Sequence, residues 1–105
     1  MSQLEILLAD DEPSIRLTVA DALEDLGHHV TLAVDGGEAL DHIERKVFDV
    51  VISDIRMPKV DGMTLFRKLR AKSPETDVIL ITAYAAVSDA VEALKEGAHD
   101  YLTKP

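Results

Sequence analysis

Ile6, Leu7 and Leu8 form a continuous apolar run that ends at Ala9, the pattern of a short strand covered on both faces. Beyond Pro13 the spacing changes: Ile15, Val19, Ala22, Leu23 and Leu26 recur at helical intervals, and Gly27 closes the segment. His29 to Ala33 alternates as a strand with one wet face does. Asp35, with Glu38 three positions on, reads as a capped helix start, and Ala39, Leu40, Ile43 and Val47 fall on one face behind it. Val50-Val51-Ile52 is continuous again. Turn residues Pro58, Asp61 and Gly62 then lead into a helix carrying Leu65, Phe66 and Leu69, which ends near Ser73-Pro74. Val78 to Ile81 predicts a fourth strand. Val87, Ala90, Val91 and Leu94 predict a fourth helix ending at Gly97, and Tyr101-Leu102 the core of a short fifth strand.

Strict alternation of strand and helix predicts an α/β fold with a doubly wound, five-stranded parallel sheet. The all-apolar first, third and fourth strands belong in its middle, and the alternating second strand suits an edge. The order 2-1-3-4-5 follows, with right-handed crossovers placing helices on both faces. In such sheets the ligand crevice lies outside the carboxyl ends of the strands, where the order reverses between the first and third.

The chain has 105 residues with no internal repeat or linker, so residues 1–105 read as one domain. With 47% apolar residues it can fill a core, which argues against disorder. Eleven Lys and Arg against 20 Asp and Glu leave a formal charge of −9, unsuited to gripping nucleic acid by a basic face. Without cysteine there is no disulfide framework and no thiolate chemistry. The opening Met1-Ser2-Gln3-Leu4-Glu5 lacks the basic lead and long apolar stretch of a secretion signal. A cytoplasmic domain with no membrane contact is expected.

Charge also marks the crevice. Asp10 and Asp11 follow the first strand with Glu12 beside them, and Asp54 follows the third by way of Ser53. Single acids at strand ends are often turn or cap formers, but their convergence from two strands points to a site. Crowded carboxylates either hold protons or draw in a cation, and an all-oxygen set selects a hard ion, Mg²⁺ before Zn²⁺. Thr82 ends the fourth strand and Lys104 follows the fifth. An ammonium facing carboxylates implies a visiting anion, which suits an aspartate that accepts a phosphoryl group. His28, His29, His42 and His99 read as surface or strand residues outside the crevice.

The runs I-L-L-A-D-D-E-P, V-V-I-S-D-I-R-M-P-K-V-D-G-M, V-I-L-I-T-A-Y and G-A-H-D-Y-L-T-K-P together resemble the receiver domain of bacterial two-component response regulators, and the likeness spans the chain. It implies a flavodoxin-like fold with Asp54 as phosphoacceptor, Asp11 as a direct Mg²⁺ ligand and Asp10 as a supporting acid. The Arg56 carbonyl would complete the protein ligands, Thr82 and Tyr101 would be the switch residues, and Lys104 would contact the phosphoryl group. The donor would be a phosphohistidine on a sensor histidine kinase or phosphotransfer protein, and the reader a downstream output domain. The helix-four and fifth-strand stretch is most similar to nitrogen-regulation-type transcription activators. The resemblance implies self-catalysed phosphorylation and dephosphorylation without a turnover substrate, and a cis bond before Pro105.

Two other classes compete with this signalling switch. A haloacid-dehalogenase-type phosphohydrolase also uses a strand-end aspartate with Mg²⁺, but wants an acid where this chain has Arg56. A receiver-shaped module that binds partners without phosphate usually lacks one of the acids or the lysine, and all are present here. The family continues past Lys-Pro into a fifth helix. The expectation is therefore a piece of a longer regulator with bare apolar sheet near strands one and five, prone to self-association there or through the helix-four and strand-five face.

Arg56 and Tyr84, two residues after the acceptor and two after Thr82, are both bulky and are expected to hinder the attacking water. Arg56→Gly with Tyr84→Ala should shorten the life of the phosphorylated chain, and an unchanged rate of phosphate release would refute it.

Overall fold

The computed structural model describes residues 3–83 and 86–104. In them β1 (Glu5–Ala9), α1 (Pro13–Asp25), β2 (His29–Ala33), α2 (Gly36–Arg45), β3 (Val50–Asp54), α3 (Gly62–Lys72), β4 (Asp77–Thr82), α4 (Val87–Lys95) and β5 (Asp100–Thr103) follow one another. All pairings are parallel and the order is β2-β1-β3-β4-β5, as the apolar patterning predicts. Ala9 of β1 stands opposite Ser53 of β3, so the next residues along, Asp10 and Asp54, come side by side.

Two apolar layers hold the sheet. One face carries Leu7, Val51, Val78 and Leu80 against Ile43 of α2, Leu65, Phe66 and Leu69 of α3, and Ala90 and Ala93 of α4. The other carries Ile6, Leu8, Ile52 and Ile81 against Ala20 of α1, with Ile15, Val19 and Leu23 half-buried around them. Side chains of this size contribute about 1.5–3 kcal/mol each when fully buried, which is why the central strands tolerate no polar residue until their ends.

The helix faces differ from the sequence expectation in particular places. Leu26 lies beyond the end of α1 and Val47 beyond the end of α2, and both are exposed; Ala22 is exposed within α1. In α4 the buried positions are the small Ala90 and Ala93, while Val91 and Leu94 face outward. Small side chains bring α4 close to the sheet, and the larger ones then have no room inside. Near strands one and five, where bare apolar sheet is expected, the exposed apolar side chain among the described residues of those two strands is Leu102 of β5, at 55%. Ile6 and Leu8 of β1 are buried beneath α1.

Backbone contacts set the segment between β3 and α3. Asp61 caps α3 by accepting from the Thr64 N–H at 2.8 Å, and Asp35 caps α2 by accepting from the Glu38 N–H at 2.8 Å. Glu38 Oε1 in turn accepts from Val34 N–H at 3.3 Å, one residue before the cap. Two glycines let this segment sit close. A Cβ on Gly62 would stand 2.3 Å from the Asp54 carbonyl oxygen, and one on Gly36 would stand 1.6 Å from that of Val60. Gly36→Ala is therefore expected to cost about 3 kcal/mol by overpacking against main chain that has no rotamer to yield. Urea denaturation gives the value, and a loss below about 1 kcal/mol would show that the segment moves freely.

Candidate functional site

The strand ends carry the chemistry because the sheet's backbone bonding runs one residue past them. Asp10 N–H donates to the Ala33 carbonyl at 3.1 Å, Ile55 N–H to Ile81 at 3.1 Å, and Lys104 N–H to Thr82 at 2.9 Å. Asp10 and Asp54 are thereby fixed at 0% and 4% exposure. Arg16, from the first turns of α1, donates Nη1–H to the Asp10 carbonyl at 2.6 Å and pins the turn.

Lys104 reaches into this pocket. Its Nζ donates to Asp54 Oδ2 at 2.9 Å and to Glu12 Oε1, and stands 3.4 Å from Asp10 Oδ2. Asp54 Oδ1 accepts from the Arg56 N–H at 3.3 Å, and Asp10 Oδ1 from the Glu12 N–H at 2.9 Å. Asp10 Oδ2 is buried and accepts no hydrogen bond. Burial opposes the charge on Lys104, yet hydrogen bonds to Asp54 and Glu12 outweigh it and hold the ammonium well above the usual lysine range. Burial lifts the Asp10 carboxyl above its ordinary value; the Glu12 N–H works against this and the Asp54 charge adds to it.

Of the residues predicted from sequence, the fold brings Asp10, Asp54 and Lys104 into direct contact range. Asp11 is exposed, one residue past the buried strand end, and is not among the carboxylates that come together. Thr82 is fully buried, with its hydroxyl donating to the Ala83 carbonyl at 2.8 Å. Tyr101 is half-buried, packed on the core beside α4. The Arg56 side chain is exposed, with Nη2 3.9 Å from Asp89 of α4. Tyr84 and Pro105 lie outside the described residues, and with Pro105 the isomer of the bond before it. His28 accepts from the Leu4 N–H and His29 contacts Glu5, far from the pocket as expected.

Two site residues escape the sequence reading. Glu12 joins the acidic group: Asp10, Glu12 and Asp54 offer oxygens within 4.8 Å of one another. Its only signal is adjacency to Asp10-Asp11, since a helix N-cap normally uses a shorter side chain and Glu12 makes no such cap. Arg16 carries no signal at all, being one of several charged residues in α1.

An all-oxygen donor set that includes a buried carboxylate oxygen accepting no hydrogen bond fits a hard divalent cation.

Comparison with known proteins gives the chain a family. Residues 6–105 match the family model described as the response regulator receiver domain. The transcriptional regulatory protein ZraR of Klebsiella oxytoca is 43% identical over 103 residues, covering 98% of this chain and 23% of that protein. The response regulator protein FleR of Pseudomonas aeruginosa is 45% identical over 102 residues, 96% of this chain and 21% of its own length. This chain thus spans less than a quarter of these curated relatives. Among solved structures, a response regulator receiver domain protein from Clostridium thermocellum superposes with a TM-score of 0.90 at 38% identity, covering 97% of this chain and 82% of that one. NtrX from Brucella abortus gives 0.90 at 34% identity, covering 99% of this chain and 24% of its own.

The crowding of buried charge is testable without ligand. A carboxyl whose folded-state pKa is raised favours the fold while protonated, and that contribution is lost as pH rises through its pKa. Asp10→Asn should therefore stabilise the metal-free protein at neutral pH by about 1 kcal/mol, and the gain should shrink in acid. Urea titrations at two pH values check this; destabilisation at neutral pH would show that Lys104 already compensates the buried charge.

Proposed function

This chain belongs to the response regulator receiver domain family, and from that premise we propose that it is a phosphorylation-driven switch whose acceptor is Asp54. The observation that carries the reading is the buried Asp54 carboxylate held 2.9 Å from Lys104 Nζ beside the unpartnered oxygen of Asp10. Asp54 Oδ attacks the phosphorus of a phosphohistidine on a sensor histidine kinase or phosphotransfer protein. The N–P bond breaks, the imidazole leaves with that electron pair and takes a proton, and an acyl phosphate remains.

Asp10, Asp11, Asp54 and the Arg56 main-chain carbonyl are the groups proposed to hold Mg²⁺, with Asp10 acting at longer range. An ion held by these groups would supply positive charge to offset that on the phosphoryl oxygens. Lys104 is proposed to contact the new phosphoryl oxygens. The Thr82 hydroxyl turns from the Ala83 carbonyl towards them, and Tyr101, already half-buried, moves into the space. The surface altered is that of α4 and β5, where Val91, Leu94 and Leu102 are exposed, and it is the face offered to an output domain or a second copy. The relatives named transcriptional regulators favour control of transcription as the output. In this reading the domain works in the cytoplasm, touches neither membrane nor nucleic acid, and has no substrate beyond its own phosphorylation; no helix among the described residues is long and apolar enough to cross a membrane.

Incubation with acetyl phosphate and Mg²⁺ should add one phosphoryl group by intact mass, absent in Asp54→Asn and absent with chelator. An adduct that survives Asp54→Asn, or none in the wild type, would remove Asp54 from this role.

A further inference from the structure

We propose that Glu12 is a positioning residue that receives the Lys104 ammonium when a divalent cation enters, so that metal binding depends on Glu12 through Lys104. This rests on the metal reading above. Asp10, Glu12 and Asp54 surround a single ammonium, and a cation drawn to Asp10 and Asp54 finds that ammonium already hydrogen-bonded to Asp54 at 2.9 Å. The two cations repel at such range, so Lys104 must leave Asp54. An ammonium whose side chain is only 11% exposed cannot simply be released without a partner.

Glu12 supplies that partner. Its carboxylate already bonds Lys104 Nζ, and its side chain is 52% exposed, so it stands on the solvent side of the two buried aspartates. Withdrawal towards Glu12 carries the ammonium from a dry environment to a wetter one without breaking its ion pairing. Glu12 is free to do this because its side chain makes no cap on α1, where Pro13 has already removed one of the N–H groups that need a cap. Its backbone is held in place: Glu12 N–H donates to Asp10 Oδ1 at 2.9 Å, and Arg16 pins the Asp10 carbonyl at 2.6 Å. Glu12 therefore keeps its position at the mouth while Lys104 moves.

The test is a double-mutant cycle on metal affinity. Mn²⁺ binding is measured from the free-ion electron paramagnetic resonance signal, with Mg²⁺ as competitor, in the wild type, Glu12→Gln, Lys104→Met and the double variant. Glu12→Gln should weaken binding about tenfold in the wild-type background, as loss of an outer partner does. With Lys104→Met no ammonium needs a place, and the same change should cost about twofold or less. Equal losses in both backgrounds would make Glu12 a direct ligand or a distant charge and overturn the inference alone, as would no loss in either. A wild type that binds no Mn²⁺ overturns the metal reading and this inference with it.

Discussion

Two carboxylates, Asp10 and Asp54, are held side by side away from water with one lysine between them, and the rest of the molecule follows from that constraint. Removing such charges from solvent is expensive, and the attraction of a single ammonium does not satisfy every oxygen, since Asp10 Oδ2 accepts nothing. A site in this state gains from any added positive charge. It also holds the Asp54 carboxylate and its counter-charge Lys104 in contact, so the electrostatics of the pocket are set by the fold before any ligand arrives.

Only a rigid frame can hold like charges together, and the parallel sheet is that frame. Apolar layers on both faces fix β1 and β3 in register, and backbone bonds that continue to Asp10, Ile55 and Lys104 carry the order beyond the strand ends. The segment between β3 and α3 closes over Gly36 and Gly62 at distances that allow no side chain. Stability of the frame and charge in the pocket therefore oppose each other, the common arrangement at functional sites.

The α4 side is held through smaller contacts. Its contact with the sheet is made by alanines, and its larger residues Val91 and Leu94 face outward. At one end Arg56 approaches Asp89 across 3.9 Å of exposed surface, and at the other Arg67 of α3 grips Glu96 with two hydrogen bonds at 3.1 and 3.0 Å. An element held through small side chains and surface ion pairs is one that a change in the adjacent pocket can move, because neither kind of contact contributes much.

Periodicity and punctuation were enough to determine the element order, the all-parallel sheet, its 2-1-3-4-5 order and the meeting of Asp10, Asp54 and Lys104 at one edge. Each depends on local spacing and on which strands can be apolar throughout. Side-chain direction beyond the strand ends was not legible in the same way. Three acids in a row, Asp10-Asp11-Glu12, are equivalent as letters, and tertiary structure decided that the first is buried, the second faces solvent and the third turns back to Lys104. Likewise Val91 and Leu94 match a helix core by spacing, but the closeness of α4 to the sheet leaves room only for alanine. Which residues share a face is a property of one element's sequence, whereas which face is buried and which group a charge meets depend on residues that only the completed fold brings near.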